Sequence, residues 1–301
     1  MNRRDILKSL STLAIAGAVS PLHSIEPFQR TKTKLKGLGL TTYSMRQHMK
    51  WYLGKPAEGS LDMLDFLDYC ASLGLEGAEI TGYFFPEPLD RQSINAIKHR
   101  AHILGMDITG GAMGNSFANP PRSEAGKAQL SYARKWIDRF TDMGAPVVRV
   151  FAERGVRAEG LTDEQVIKNV IANLEEVLPY AEKQGIILGL ENHDFIENID
   201  YLLEILEAID SKWLGVIWDS ANIAPVADPY AELERIAPFA VTAQVKVMTT
   251  VNGEDVPANY ARLVNILKQA RYRGYLIFEY EEEEDPYTAI PRHLKELRKL
   301  I

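Results

Sequence analysis

Apolar runs that stop at a polar side chain mark where this chain can do chemistry. Residues 186–195 read Ile-Ile-Leu-Gly-Leu-Glu-Asn-His-Asp-Phe, an apolar stretch too short for a helix that ends at Glu191. A carboxylate at the end of a buried strand is costly to desolvate unless a cation, a hydrogen-bond network or a metal compensates it. The pattern recurs: residues 214–219 end at Asp219, residues 240–247 carry Gln244, and residues 275–281 carry Glu279. If these runs are strands of one sheet, Glu191, Asp219, Gln244 and Glu279 converge.

The elements that would position them alternate along the chain. Strands are expected at 38–43, 77–84, 106–112, 146–151, 186–191, 214–219, 240–247 and 275–281, separated by helical patterns at 61–73, 92–104, 124–143, 162–183, 202–209, 229–236, 257–271 and 286–300. Ser60 is expected to cap the first helix, and Thr162-Asp-Glu-Gln165 reads as a capping box for the longest one. Pro179 inside that helix is expected to kink or loosen it, because proline has no N–H to donate. Eight strand-helix units are the number that closes a (β/α)8 TIM barrel, whose strand C-termini share one mouth. An open doubly wound sheet is disfavoured, since no glycine-rich phosphate loop follows the first strand.

The 301 residues, 46% hydrophobic and 25% charged, suffice for one such domain, taken as residues 35–301. A formal charge of −7 argues against a nucleic-acid partner. The single cysteine, Cys70, sits in an amphipathic helical pattern and reads as a buried structural thiol. Residues 1–30 read as an export signal and linker: Arg3 and Arg4 precede a mildly apolar stretch of small residues, a pattern that resembles a twin-arginine signal and predicts a periplasmic protein. No later segment approaches the ~20 apolar residues of a transmembrane helix.

With the motifs in place, the chain resembles the xylose isomerase-like TIM-barrel family of sugar isomerases and epimerases, which also contains endonuclease IV. Leu190-Glu191-Asn192-His193 is similar to the family's fifth-strand motif, Trp218-Asp219-Ser220-Ala221-Asn222 to its sixth, and Phe278-Glu279-Tyr280-Glu281 to its eighth. The chain departs from the pattern on the seventh strand, where Gln244 stands two residues before Lys246 in place of a metal-binding histidine. The resemblance implies Glu191, Asp219, Gln244 and Glu279 as metal ligands. An all-oxygen set favours Mn2+ or Mg2+, with Zn2+ or Co2+ as the softer alternatives.

Glu191 and Glu279, approaching from different strands, can act as base and acid. Asn222 resembles the family's substrate-contacting residue, His193 lies two residues beyond Glu191 on the same side of an extended strand, and Lys246, two past Gln244, can polarise a carbonyl or steady an enolate. Lys246 has a second reading, as a salt-bridge partner of Glu279 or Glu281. Arg149 and Glu79, near the ends of strands four and two, complete the substrate-binding candidates, and residues 281–285 read mostly as a solvated acidic loop. The expected activity is metal-dependent isomerisation or epimerisation of a small carbohydrate through an enediolate. A keto-sugar dehydratase or lyase on the same scaffold and a sugar-binding barrel without turnover are the alternatives.

Overall fold

Eight parallel strands close on themselves in the computed structural model, which describes residues 26–30, 34–155, 157 and 160–301. In barrel order they are β1 (Gly37–Thr41), β4 (Gly77–Thr81), β5 (Asp107–Ala112), β6 (Val147–Val150), β7 (Ile187–Glu191), β8 (Leu214–Asp219), β9 (Ala240–Val245) and β12 (Tyr275–Phe278), with β12 pairing back to β1. The remaining strands form two antiparallel hairpins, β2 (Trp51–Tyr52) with β3 (Lys55–Pro56) and β10 (Met248–Val251) with β11 (Glu254–Pro257). Barrel strands are covered on both faces, which is why they read as continuous apolar runs without alternation. The fold is the (β/α)8 barrel that the alternation of patterns predicts.

The helices follow their amphipathic patterns: α1 (Met63–Ser72), α2 (Arg91–Ile103), α3 (Glu124–Met143), α4 (Asp163–Gln184), α5 (Ile199–Ala208), α6 (Pro229–Ile236), α7 (Tyr260–Gln269) and α8 (Pro286–Leu297). Their apolar faces meet the barrel wall closely enough to restrict the wall's side chains. At Gly111 an added Cβ would lie 2.3 Å from the Phe140 ring of α3, so only glycine lets that helix seat there. On β8, Trp218 fills the space under α6 and donates its indole N–H to the Leu233 carbonyl at 2.9 Å. Cys70 is buried on α1, where burial pushes its thiol well above the ordinary range.

Two local expectations change and one takes its milder form. The cap of α1 is Asp62 in place of Ser60: its carboxylate accepts from the Leu64 and Asp65 N–H groups, and Asp65 returns a bond to the Asp62 N–H. A capping box two residues on outcompetes the lone serine. Pro179 lies inside α4, which stays helical through it and is loosened there by one missing hydrogen bond. The carbonyl it deprives of a partner belongs to exposed Glu175, where water can take the donor's place. The pattern after 257 starts its helix only at Tyr260, because β10 and β11 claim the preceding residues as a hairpin rising from the mouth.

Arg3, Arg4 and the stretch read as an export signal lie outside the described residues apart from 26–30. Among the described residues, no helix is long and apolar enough to cross a membrane.

Candidate active site

At the C-terminal ends of the strands, buried carboxyl groups meet two buried cations. Glu191, the last residue of β7, is 1% exposed, and Arg149 on the neighbouring β6 brings a guanidinium nitrogen 3.1 Å from its Oε2. That approach is within ion-pair range but not aligned as a hydrogen bond. The other end of the same guanidinium donates to the Tyr83 hydroxyl, which follows β4 in a short 3-10 turn. Burial opposes a charge on Arg149, but Glu191 and the more distant Glu279 and Glu79 outweigh it, so the guanidinium stays firmly charged.

On the opposite wall, one ammonium serves three carboxyls. Lys246, one residue past β9, places Nζ 2.6 Å from Glu281, 3.3 Å from Asp219 and 3.8 Å from Glu279, with the Asn222 side-chain oxygen at 3.4 Å. Burial would lower its pKa, yet Asp219, Glu279 and Glu281 together hold it well above the ordinary lysine value. Glu279 moves up instead: burial comes first, then repulsion from Glu281, Asp219 and Glu191, against the single attraction of Lys246. Glu281 moves down, because Lys246 attracts and hydrogen-bonds it strongly enough to overcome its partial burial. Glu281 is therefore part of the site, and the solvated-loop reading does not hold for it.

The backbone around Asp219 is built to hold that carboxylate. Its Oδ1 accepts from the Ala221 and Asn222 N–H groups at 2.8 and 3.1 Å, which leaves Oδ2 for the mouth. Asn192 locks the turn to β7, accepting from the Asp219 N–H and donating to the carbonyls of Asp219 and Asn222. Gln244 lies beside Asp219 in register, but its amide reaches across the barrel, donating to Glu79 at 2.7 Å. Glu79 is 2% exposed, and burial pushes its carboxyl up to about 7 despite Arg149 and Gln244. His193 sits at the rim, its ring 4.8 Å from Phe151 and its Nδ1 3.1 Å from Asp194.

The predicted site residues thus gather at one mouth, in three sets with His193 at the rim beside them: Arg149 with Glu191; Lys246 with Asp219, Glu279 and Asn222; Gln244 with Glu79. Each cation's field reaches the others' acids. A metal can be tested against this arrangement. Five carboxyls (Glu79, Glu191, Asp219, Glu279, Glu281) face two cations (Arg149, Lys246). Glu191 Oε2, Asp219 Oδ2 and Gln244 Oε1 are buried with no hydrogen-bond donor. The donor chemistry and the excess negative charge fit a hard divalent cation. Their arrangement, however, serves the internal cations: among the described residues no three His, Cys, Asp or Glu side chains are grouped to hold a metal.

Tyr83 and Phe151 enter the site without having been singled out by spacing, and Glu281 enters through the ion pair that the second reading of Lys246 expects. A cavity of about 420 Å³ lined by Lys36, Asp107, Thr109, Tyr272 and Tyr275 lies at the opposite end of the barrel, away from the carboxyl cluster.

Known proteins agree with this architecture. Residues 67–300 match the xylose isomerase-like TIM barrel family, and the chain belongs to it. A curated relative, the 3-oxo-isoapionate decarboxylase of Pectobacterium atrosepticum, is 25% identical over 212 residues, covering 69% of this chain and 68% of that one. Among solved structures, the apo 3-keto-D-glucoside 4-epimerase of E. coli superposes with a TM-score of 0.66 at 19% identity, over 83% of this chain and 99% of that one. The zinc-bound IolI protein superposes with a TM-score of 0.70 at 14% identity, over 88% and 96% of the two chains. At these identities the structural likenesses establish the fold alone.

Proposed function

We propose that the chain is an isomerase or epimerase of a sugar or sugar derivative, moving a proton on the carbon next to a carbonyl through an enediolate. The observation that carries this reading is the unequal pair at the mouth: Glu191 faces a guanidinium of its own, whereas Glu279 shares one ammonium and has its carboxyl raised well above the ordinary range. A carboxyl raised in this way can serve as the acid, and the one that faces the guanidinium as the base. Glu191 takes the proton from the C–H beside the carbonyl, and Glu279, protonated, delivers one to the other face. The Lys246 ammonium lies where negative charge develops on the substrate oxygen, and stabilises it. Burial of the pair keeps bulk water from the reacting carbon, while the carboxyl protons renew from solvent between turnovers.

Glu191, Asp219, Gln244 and Glu279 would hold a divalent cation, Mn2+ or Mg2+ by donor hardness, with Asn222, His193, Arg149 and Glu79 around the substrate. Bound there, it would supply polarisation of the carbonyl and the adjacent hydroxyl. The zinc-bound and epimerase neighbours support this reading, and the substrate is a small carbohydrate.

The decarboxylase relative favours a second reading, in which the same electron sink receives a carbanion left by loss of CO2 from a 3-oxo sugar acid. A product screen separates them. Purified protein with Mn2+ is offered ketoses, 3-keto-glycosides and 3-oxo sugar acids. An isomer of unchanged mass supports proton transfer, CO2 release supports decarboxylation, and a product lighter by one water supports elimination. No turnover with any of them leaves the sugar-binding barrel.

Residues 1–30 we infer to direct export to the periplasm, on the strength of Arg3 and Arg4. Replacing both by lysine should trap the precursor in the cytoplasm, and unchanged export would reject the assignment.

A further inference from the structure

A second arginine stands at the rim of the mouth with no acid paired to it among the described residues. Past β6 the chain runs through Phe151 to Arg154, whose guanidinium carbon lies 4.7 Å from the Tyr83 ring centroid and 5.4 Å from that of Phe151. Arg149 lies over the same two rings, at 5.8 and 4.0 Å. The two arginines differ in what they hold. Arg149 faces Glu191 and the Tyr83 hydroxyl. Arg154 forms no ion pair among the described residues, and its neighbour Glu153 is taken by Arg157 at 2.7 Å.

The Arg154 head is nevertheless fixed. Its backbone N–H donates to Ser116 Oγ at 3.3 Å, and a Cβ on Gly114 would come within 2.7 Å of its Nη1, so the guanidinium rests directly on the backbone there. Ring faces satisfy the plane of a guanidinium but not the N–H donors around its edge. A half-buried guanidinium is therefore seated on two rings and the Gly114 backbone, with edge donors that make no side-chain hydrogen bond among the described residues. The Phe151 ring it packs on also touches His193. Charge is thus polarised across the mouth: Asp219, Glu279 and Glu281 on the β8, β9 and β12 side, Arg149 and Arg154 on the β6 side.

We propose that Arg154 binds an anionic substituent, a carboxylate or a phosphate, on the sugar substrate, whose carbonyl end then lies toward Glu191 and Glu279. The inference rests on the mouth being a sugar site, and narrows the substrate class to sugar acids or sugar phosphates. An anion at the edge of the Arg154 guanidinium uses its donors, in the planar geometry that arginine provides for both groups.

The test is equilibrium binding, which needs no turnover. Calorimetry on the Mn2+-loaded protein compares glucuronate with glucose, and glucose 6-phosphate with glucose, for wild type, Arg154→Gln and Arg154→Lys. A charge-assisted bond predicts a preference for the charged member of at least one pair of roughly 10- to 100-fold. That ratio should collapse toward one in Arg154→Gln and partly survive in Arg154→Lys, with thermal unfolding unchanged. The pair that shows the preference identifies carboxylate or phosphate. A wild-type ratio near one, no measurable affinity for either charged sugar, or a full preference retained in Arg154→Gln overturns the proposal. Arg154-dependent binding without any proton transfer would reject the enzymatic reading and leave this one standing.

Discussion

On the β6 and β7 side of the mouth a carboxylate has a cation of its own; on the β8, β9 and β12 side one ammonium is shared by Asp219, Glu279 and Glu281. On the first side Arg149 neutralises Glu191 and Arg154 adds a positive charge at the rim, while the second carries excess negative charge that only protons or an added cation can relieve. That inequality is visible in Glu279, whose carboxyl rises well above the ordinary range although Lys246 is near. Buried carboxyls that look equivalent in sequence thus acquire opposite roles from how many cations surround them.

The largest effect expected from breaking the comparison is catalytic. Glu191→Gln and Glu279→Gln should each lower turnover by about 10²- to 10⁴-fold while manganese occupancy, measured by metal analysis, is maintained. Loss of metal in step with activity would assign the residue to ligation alone.

Next in size is the contrast between the two cations. Arg149→Leu leaves Glu191 buried without a counterion and should cost about 3–5 kcal/mol in denaturant unfolding, with little recovery on adding metal. Lys246→Met should cost less, because Glu279 can already hold a proton, and its stability and Mn2+ affinity should both rise when the divalent ion takes the ammonium's place. Equal costs and equal metal responses for the two variants would contradict the asymmetry.

A pH effect of intermediate size belongs to Glu79. Its folded carboxyl is raised to about 7 from an ordinary value of 4.5, so the native state keeps a proton that the unfolded chain releases. The associated stability is complete below about 4.5 and is lost as pH rises through about 7, a span of roughly 3 kcal/mol at most. Unfolding in chelator across that window should show the decline in wild type and a flatter curve in Glu79→Gln. Curves of identical slope would remove Glu79 from the account.

The smallest expected change is at Gln244. Gln244→His should shift metal preference toward zinc or cobalt by about tenfold, and Gln244→Leu should weaken metal binding generally. Titrations that give one affinity series for all three proteins would mean that Gln244 serves only to hold Glu79.

What the sequence disclosed and what it concealed follow from range. The strand-end acids were legible because an apolar run ending at Glu191 or Asp219 is a local pattern, and the eight alternations defined the barrel that brings them together. Asp62 displaced Ser60 as a cap because the choice depends on which side chain meets the N–H groups, and the composition suits both. Glu281 reads both as one of a row of solvated acids and as a partner for Lys246, 35 residues earlier, and the ion pair at 2.6 Å decides for the second. The Tyr83, Phe151 and Arg154 assembly joins β4 to the segment after β6, and no local spacing announces it. The available signal was Arg149-Val-Phe151-Ala-Glu-Arg154, an aromatic between two arginines at a strand end.

The central claim, that Glu191 and Glu279 move a proton beside a carbonyl, is tested most directly by hydrogen exchange with solvent. Keto-sugar and keto-sugar acid substrates are incubated in deuterated water with manganese-loaded wild type, Glu191→Gln and Glu279→Gln, and deuterium at the carbon next to the carbonyl is followed by NMR. The account predicts incorporation by wild type and its loss, by at least about 10²-fold, in the variant lacking the base. Exchange at the wild-type rate in both variants, or product formation in wild type with no deuterium at that carbon, would contradict it.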